Sequence, residues 1–348
     1  MVIVTRNSGI ASISKQVMRS ATASRSKHLG ETEKTMKAVQ YHRYGGSDVL
    51  RYEEVRRPVP GPGEVLVKVA ATSFNPVDAG IRDGYLSEVY AISFPHTPGI
   101  DVAGTVAELG DGVTGWNVGD AVVGLLPLDA PGAAAEYALA PAAVLTAAPK
   151  SVPLADAAAL PTVGLTAWQA LSEIAELRSG QSILINGAGG AVGGYAVQLA
   201  KQVGAVVTAT ASARSASRLR HHGADRIIDY IDYANTPPHV AGQPFDVVLN
   251  LVSTAPEQTA ALVGLVADGG FYLGTMTSGE EDAARRVRAQ RVFVRSDAAQ
   301  LAELVNLVDA GNLVIDVADR RPLTDAAAVH DDSDANRLPG KTILIPGQ

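Results

Sequence analysis

The sequence predicts an α/β fold in two parts, a doubly wound parallel sheet and a smaller barrel-like β domain. Three observations carry this. A short apolar run, Ile183-Leu184-Ile185, leads into a burst of glycine at Gly187, Gly189, Gly190, Gly193 and Gly194, and then into helical apolar spacing from Ala191 to Gln202. Beyond that point strand-like and helix-like stretches alternate, the pattern of a parallel sheet covered on both faces. Before it, dense Gly and Pro punctuate short strands at regular spacing, which suits a small barrel.

Taken in order, residues 1–35 are rich in Ser, Thr, Arg and Lys, with no acidic residue before Glu31. That composition fits a disordered tail, a transit peptide, or an extension ahead of a start at Met36. The segment lacks a long amphipathic stripe, so a tail is expected. Arginine outnumbers lysine and alanine is abundant, which makes organelle targeting less attractive; a cytoplasmic location is expected. Met36–Tyr41, Glu64–Ala70, Asp101–Glu108, Gly119–Gly124 and Glu136–Leu139 read as strands, and Arg57–Gly63 as a rigid Pro/Gly connector. Gly132–Ala135 reads as a flexible loop.

From Leu154 the texture becomes helical, with Ala155–Leu160 and Leu165–Ile174 broken by Pro161 and Gly164. Strands follow at Ile183–Ile185, Ala205–Thr210, Arg226–Asp229, Phe245–Asn250 and Gly270–Gly274, and Arg291–Val294 supplies the sixth. Pro256–Ala267 and Ala298–Ala310 read as helices, Val314–Val317 and Lys341–Ile345 as returning strands. The expected division is residues 36–155 for the first part of the β domain, 156–294 for the parallel sheet, and 295–348 for a return to the β domain.

Strand, glycine turn and helix in that order are what a phosphate loop requires. Glycine lets the backbone turn tightly and approach a diphosphate, while the helix N-terminus offers free N–H groups and a positive dipole. The candidates are Gly187, Ala188, Gly189, Gly190, Ala191, Val192 and Gly193, although Ala188 stands where a strict G-x-G-x-x-G would begin. An NAD site would carry Asp or Glu near the end of the next strand. Here no acid occurs between Glu176 and Asp225, and Ser212, Arg214 and Arg218 follow the strand instead. Ser212 can bond a 2′-phosphate and either arginine can pair with it, so NADPH is the expected cofactor. Ser212 equally reads as the cap of the next helix.

The 348 residues, 47% hydrophobic, are ample for two core-forming domains. A formal charge of -7 argues against nucleic acid or an anionic membrane as the main partner. No apolar run approaches the length needed to span a membrane. Cysteine is absent, which excludes disulfides, thiol catalysis and thiolate metal ligands.

The ordered stretches Met36-Lys-Ala-Val-Gln, Gly63-Glu-Val-Leu-Val-Lys-Val, Asn75-Pro-Val-Asp78, Pro98-Gly-Ile-Asp-Val-Ala-Gly104, Leu160-Pro-Thr-Val-Gly-Leu-Thr-Ala167, Ile228-Asp-Tyr230 and Gly340-Lys-Thr-Ile-Leu, with the glycine loop, carry a resemblance. From Met36 to Ile345 the chain resembles the zinc-free quinone oxidoreductases of the medium-chain dehydrogenase/reductase superfamily. The resemblance implies a GroES-like β-barrel catalytic domain beside a Rossmann domain with a six-stranded parallel sheet. It also implies NADPH in the cleft between them and a homodimer or homotetramer.

Zinc-dependent relatives place cysteine where Asn75 stands and Gly-His-Glu where Gly99-Ile100-Asp101 stands. Ile100 cannot ligate and Asn75 is a poor zinc ligand, so no metal site is expected. His96, alone near this turn, reads as a loop or packing residue. A zinc-free cleft suits quinones and α,β-unsaturated carbonyls, whose charge delocalises onto oxygen as hydride arrives. Asn75 can donate its amide to the acceptor or the cofactor, or fix the loop ahead of Pro76. Thr166 would by resemblance contact the nicotinamide end, and Tyr230 can stack on or bond the adenosine phosphate end.

The family's tyrosines five and eleven positions after the asparagine are here Gly80 and Leu86; Tyr85, one place off, is the candidate proton donor. Asn250-Leu-Val-Ser253 departs from the family pattern as well. The leading expectation is an NADPH-dependent quinone or enone reductase. An enoyl-thioester or biosynthetic tailoring reductase, and a non-catalytic NADPH-binding protein, are the alternatives.

Overall fold

The glycine-rich segment lies at the centre of a six-stranded parallel sheet, where the sequence pattern predicts it. A computed structural model describes residues 34–234 and 238–347. The tail expected over residues 1–35 lies outside these apart from Lys34 and Thr35.

The chain opens with β1 (Thr35–Gln40), paired to β2 (Arg51–Arg56). A seven-stranded sheet follows, built from β3 (Glu64–Ser73), β4 (Asp101–Leu109), β5 (Ala121–Leu125), β6 (Tyr137–Pro141) and β7 (Leu145–Ala147), and completed by β14 (Asp319–Pro322) and β15 (Thr342–Ile345) from the far end of the chain. Its order is β14-β15-β3-β4-β5-β7, with β6 on β3, and its pairs are antiparallel except β14 with β15. Val65, Val67, Val102, Val106 and Val122 fill the core of this unit. A short helix, α1 (Pro76–Arg82), leaves the end of β3.

The second sheet has the order β10-β9-β8-β11-β12-β13, every pair parallel. Its strands are β8 (Ser182–Asn186), β9 (Val206–Thr210), β10 (Arg226–Ile228), β11 (Phe245–Asn250), β12 (Val266–Gly274) and β13 (Arg288–Arg291). The crossover helices are α3 (Ala191–Val203), α4 (Ala213–His221) and α5 (Pro256–Gly264). The helix α2 (Pro161–Trp168) runs on as a π-helical segment to Ile174 and joins the two sheets; α6 (Ala298–Asp309) packs on it, and α7 (Ala326–Asp334) precedes β15. Strand order reverses between β8 and β11, and a ligand crevice opens at such a switch point.

Several local expectations need correction: the helix expected over Pro256–Ala267 ends at Gly264, where Val266 enters β12, and Gly164 does not break the helix that starts at Pro161. Gly132–Ala135 is not a flexible loop: Gly132, Ala133 and Ala134 donate backbone bonds of 2.7, 2.7 and 2.9 Å to Thr97, Gly99 and Pro98, and small side chains let the segment bury. The sixth strand begins three residues earlier than the apolar run Arg291–Val294 suggests. At an exposed sheet edge pairing does not require apolar residues, and Arg288 covers the Phe271 ring at 4.4 Å instead. The returning strand is Asp319–Pro322, not Val314–Val317. Gln198 satisfies the backbone of Val314 on both sides, at 2.8 and 3.2 Å, so that segment follows α3 rather than joining a sheet.

Candidate functional site

At the switch point the backbone of the glycine loop is held by a chain of side-chain bonds. Asn250 accepts from Asn186 at 2.9 Å, Asn186 accepts from the Thr210 hydroxyl at 2.9 Å, and Thr210 accepts from the Gly187 N–H at 2.8 Å. Asn250, the departure noted in the sequence, also donates to Thr254 and Tyr272 at 3.1 Å each, so the crossover after β11 is locked by amide and hydroxyl groups. Gly187 turns with φ +83°, a left-handed conformation that favours glycine. At Gly193 a Cβ would lie 2.4 Å from the Ala188 Cα, so only glycine lets α3 press against the loop.

Gly190 is the N-cap of α3 and no side chain caps it, which leaves the first N–H groups of the helix without a side-chain acceptor beside the loop. This cradle of glycine backbone and uncapped N-terminus fits a diphosphate. Ser212 is the N-cap of α4, extended, yet its hydroxyl makes no capping bond. Beside it Arg214 is exposed and no ion pair engages it among the described residues. Arg218 is committed elsewhere: it donates to the Gly189 carbonyl at 2.6 Å and pairs weakly with Asp316 at 3.5 Å, bracing the loop. Tyr230, 68% exposed, lies beyond β10 with its ring free on the surface.

The other wall of the crevice is built by α1, β4, α2 and the approach to β15. Asp101 is completely buried. Its Oδ1 accepts from the Thr162 N–H at 2.8 Å and from the Thr162 hydroxyl at 2.6 Å. Its Oδ2 accepts from the Ser73 hydroxyl, from Asn75 Nδ2 at 2.8 Å and from Lys341 Nζ at 3.3 Å. Lys341 also donates to Asn75 Oδ1 at 2.6 Å and to the Phe74 carbonyl at 3.2 Å. Both polar atoms of the Asn75 carboxamide are therefore engaged, and its orientation is fixed by an ammonium on one side and a carboxylate on the other. Burial holds the Lys341 pKa below its ordinary value, against the opposing pull of Asp101.

Asp78, on α1, accepts from the Asn75 N–H at 2.8 Å and the Gly99 N–H at 3.2 Å. Burial nevertheless raises its pKa to about 7, with the charge of Asp101 adding to the effect. Thr166 lies one turn beyond Thr162 and donates to the Thr162 carbonyl at 2.6 Å. Tyr85 is 85% exposed, on the loop after α1, and the structure does not bring it against the buried Asn75. Gly80 and Leu86 meet each other: a Cβ on Gly80 would lie 3.2 Å from Leu86 Cδ1, so aliphatic packing fills the place of the family's two tyrosines.

Asp101, Thr162 and Lys341 were quoted in the matching stretches but not singled out as site residues. The available signal was an acidic residue directly after the missing ligand position at Ile100, and a lysine ahead of an apolar strand. Among the described residues, no group of three or more His, Cys, Asp or Glu side chains is placed to hold a metal ion. No helix there is long and apolar enough to cross a membrane.

Residues 61–150 match the alcohol dehydrogenase GroES-like domain, and residues 222–344 match the zinc-binding dehydrogenase family. A chloroplast envelope quinone oxidoreductase homolog of Arabidopsis thaliana is 35% identical over 331 residues, covering 90% of this chain and 99% of the relative. A chloroplastic NADPH-dependent alkenal/one oxidoreductase of the same plant is 33% identical over 336 residues, covering 90% of this chain and 80% of the relative. Among solved structures, the quinone oxidoreductase from Coxiella burnetii is similar with a TM-score of 0.79 at 30% identity, over 90% of this chain and 99% of that one. The two sheets, the glycine loop and likeness to these proteins over 90% of the chain agree: the chain is an oxidoreductase and belongs to the quinone oxidoreductase group of the medium-chain dehydrogenase/reductase superfamily.

Proposed function

We propose that the protein is an NADPH-dependent reductase of quinones or α,β-unsaturated carbonyls that works without a metal ion. The observation that carries this reading is the buried Lys341–Asn75–Asp101 cluster. Where zinc-dependent relatives place a cysteine ligand, this chain has a carboxamide pinned by an ammonium at 2.6 Å. A fixed positive charge in a dry site favours negative charge developing nearby. Its effect is gentler than that of a divalent cation, which suits acceptors that spread the incoming charge onto an enolate or hydroquinone oxygen.

The glycine loop would hold the diphosphate, Ser212 and Arg214 the 2′-phosphate, Tyr230 the adenosine end, and Thr166 the nicotinamide end. When bound, NADPH supplies the hydride. Arg218 contributes indirectly, by bracing the Gly189 carbonyl. Asn75 orients the acceptor or the nicotinamide through the amide hydrogen that otherwise makes only a long 3.4 Å contact to the Ser73 carbonyl. Tyr85 would reach this centre only by movement of its loop. The free edge of β13 offers a surface for the expected homodimer or homotetramer. The names of the relatives, quinone and alkenal/one oxidoreductases, support the acceptor class.

The test is a fluorescence titration of NADPH and NADH against wild type and Arg214→Ala, followed by an acceptor panel. The expected result is a preference for NADPH that falls at least tenfold in the variant, with turnover of simple quinones or enones. Turnover confined to acyl thioesters would move the assignment to an enoyl-thioester reductase. Tight NADPH binding with no acceptor consumed would leave a cofactor-binding protein without catalysis.

A further inference from the structure

We infer that the cavity walled by Tyr41, Asp78, His96 and Ile100 is the subsite for the acceptor's carbonyl oxygen, and that Tyr41 donates its hydroxyl hydrogen to that oxygen; the inference rests on the reductase reading above. Tyr41 follows β1 and is 0% exposed, yet its hydroxyl has no hydrogen-bond partner among the described residues. A buried tyrosine hydroxyl almost always finds a partner, and leaving one unpaired destabilises a fold. The ring cannot swing to find another. It is clamped edge-on by Phe94 at 5.9 Å and His96 at 5.4 Å, and its backbone exchanges two 2.9 Å hydrogen bonds with that of His96.

The cavity that Tyr41 lines has Ile81, Ile100 and Leu128 as its apolar walls and Asp78 and His96 as its polar ones. It has room for about one water-sized group, the size of a single oxygen atom. It adjoins the cluster described above, because Asp78 bonds the Asn75 N–H and Ile100 stands where zinc relatives carry a ligand. The cavity therefore takes the oxygen alone, and the ring or chain that bears it stays outside. The charges facing Tyr41 are Asp78 and Arg82 on α1, with Tyr44 on the loop before β2. Burial, then the carboxylate of Asp78, hold its pKa above the ordinary phenol value, so at any working pH it is a donor. Burial lowers the His96 pKa to about 4, so that ring is neutral and brings no competing charge. Leucine and glycine occupy the family's tyrosine positions; of the buried phenols near Asp78 and Asp101, Tyr195 spends its hydroxyl on the Ala159 carbonyl, whereas that of Tyr41 is unpaired among the described residues. Tyr41 gives a hydrogen bond and keeps its proton; no covalent step is assigned to it.

Tyr41→Phe tests this with opposite expectations for fold and function. Removing an unpaired hydroxyl leaves the melting temperature unchanged or higher, and the NADPH dissociation constant unchanged. Meanwhile kcat/KM for 1,4-benzoquinone and 2-cyclohexenone falls at least tenfold. An acceptor kcat/KM within twofold of wild type overturns the assignment, as does a lowered melting temperature, which would show that the hydroxyl is already satisfied. Should wild type reduce neither compound, the reductase reading fails separately. The subsite is then judged by thermal shift with 2-cyclohexenone alone: stabilisation lost in Tyr41→Phe supports it, and equal or absent stabilisation overturns it. Leu128→Phe, which fills the cavity from the apolar side, is the second variant. It is expected to raise KM for the acceptor at least fivefold with NADPH binding intact; an unchanged KM counts against the subsite.

Discussion

Replacing Lys341 with methionine removes a cation from a site almost wholly shielded from water. Methionine keeps most of the volume, so the cost is electrostatic. Asn75 Oδ1 loses a donor at 2.6 Å and the Phe74 carbonyl one at 3.2 Å, while the Asp101 carboxylate keeps Ser73, Asn75 and both groups of Thr162 but loses its countercharge at 3.3 Å. Breaking a buried pair from one side costs about 3–5 kcal/mol. The neutral donors left on Asp101 put the value near the lower end, about 3 kcal/mol. Asp101→Asn strands the ammonium and should cost about the same. The double variant Lys341→Met/Asp101→Asn leaves no unpaired charge, so its cost should fall short of the sum by about 2 kcal/mol. Urea unfolding at pH 7, followed by circular dichroism and tryptophan fluorescence, measures all four proteins; coincident transitions are needed before the free energies are compared. A Lys341→Met cost below about 1 kcal/mol, or simple additivity in the double variant, would refute the picture of a tightly coupled pair.

Three further outcomes follow from the same geometry. Asp78 has a folded pKa of about 7 against an ordinary carboxyl value near 4, so the folded state holds its proton more tightly than the unfolded chain does. Its contribution is fully present below about pH 4 and is lost as pH rises through 7, by at most about 4 kcal/mol; Asp78→Asn should flatten that slope in urea midpoints measured from pH 4 to 8. Gly193→Ala puts a methyl 2.4 Å from the Ala188 backbone, and should raise the Kd for NADPH at least tenfold in fluorescence titration while lowering stability by about 1–3 kcal/mol. Arg218→Ala frees the Gly189 carbonyl and should weaken NADH and NADPH alike, in contrast to the selective loss expected for Arg214→Ala.

The parallel sheet was legible because its causes are local. A doubly buried strand must be an apolar run, and a backbone that approaches phosphate must be glycine, so β8, the loop and α3 can be read directly from the letters. Where a cause is non-local the letters mislead. The edge strand Arg288–Arg291 is polar because one side faces solvent, and its anchoring ring, Phe271, lies on the neighbouring strand. Asn75 was recognised from its neighbours, but what engages its carboxamide arrives from Asp101 and from Lys341, at the other end of the chain. Arg214 and Arg218 read as equivalent phosphate ligands; only the fold shows that Arg218 is tied to the loop carbonyl, while among the described residues no ion pair engages Arg214. Nothing in Met36–Tyr41 distinguishes a core tyrosine from one whose hydroxyl goes unpaired. That depends on Phe94, His96 and the cavity beside them.

The grip of Asp101 on Thr162 has a mechanical consequence. It ties a strand of the barrel to the first turn of the helix leading into the cofactor sheet, and the Tyr195 hydroxyl adds a second tie at 3.0 Å to the Ala159 carbonyl just before that helix. Three buried hydrogen bonds concentrated at this point resist sliding of the two parts past one another there, since any slip would strand buried polar groups. For the proposed reaction, such a rivet would keep the spacing between the two parts constant at Thr162.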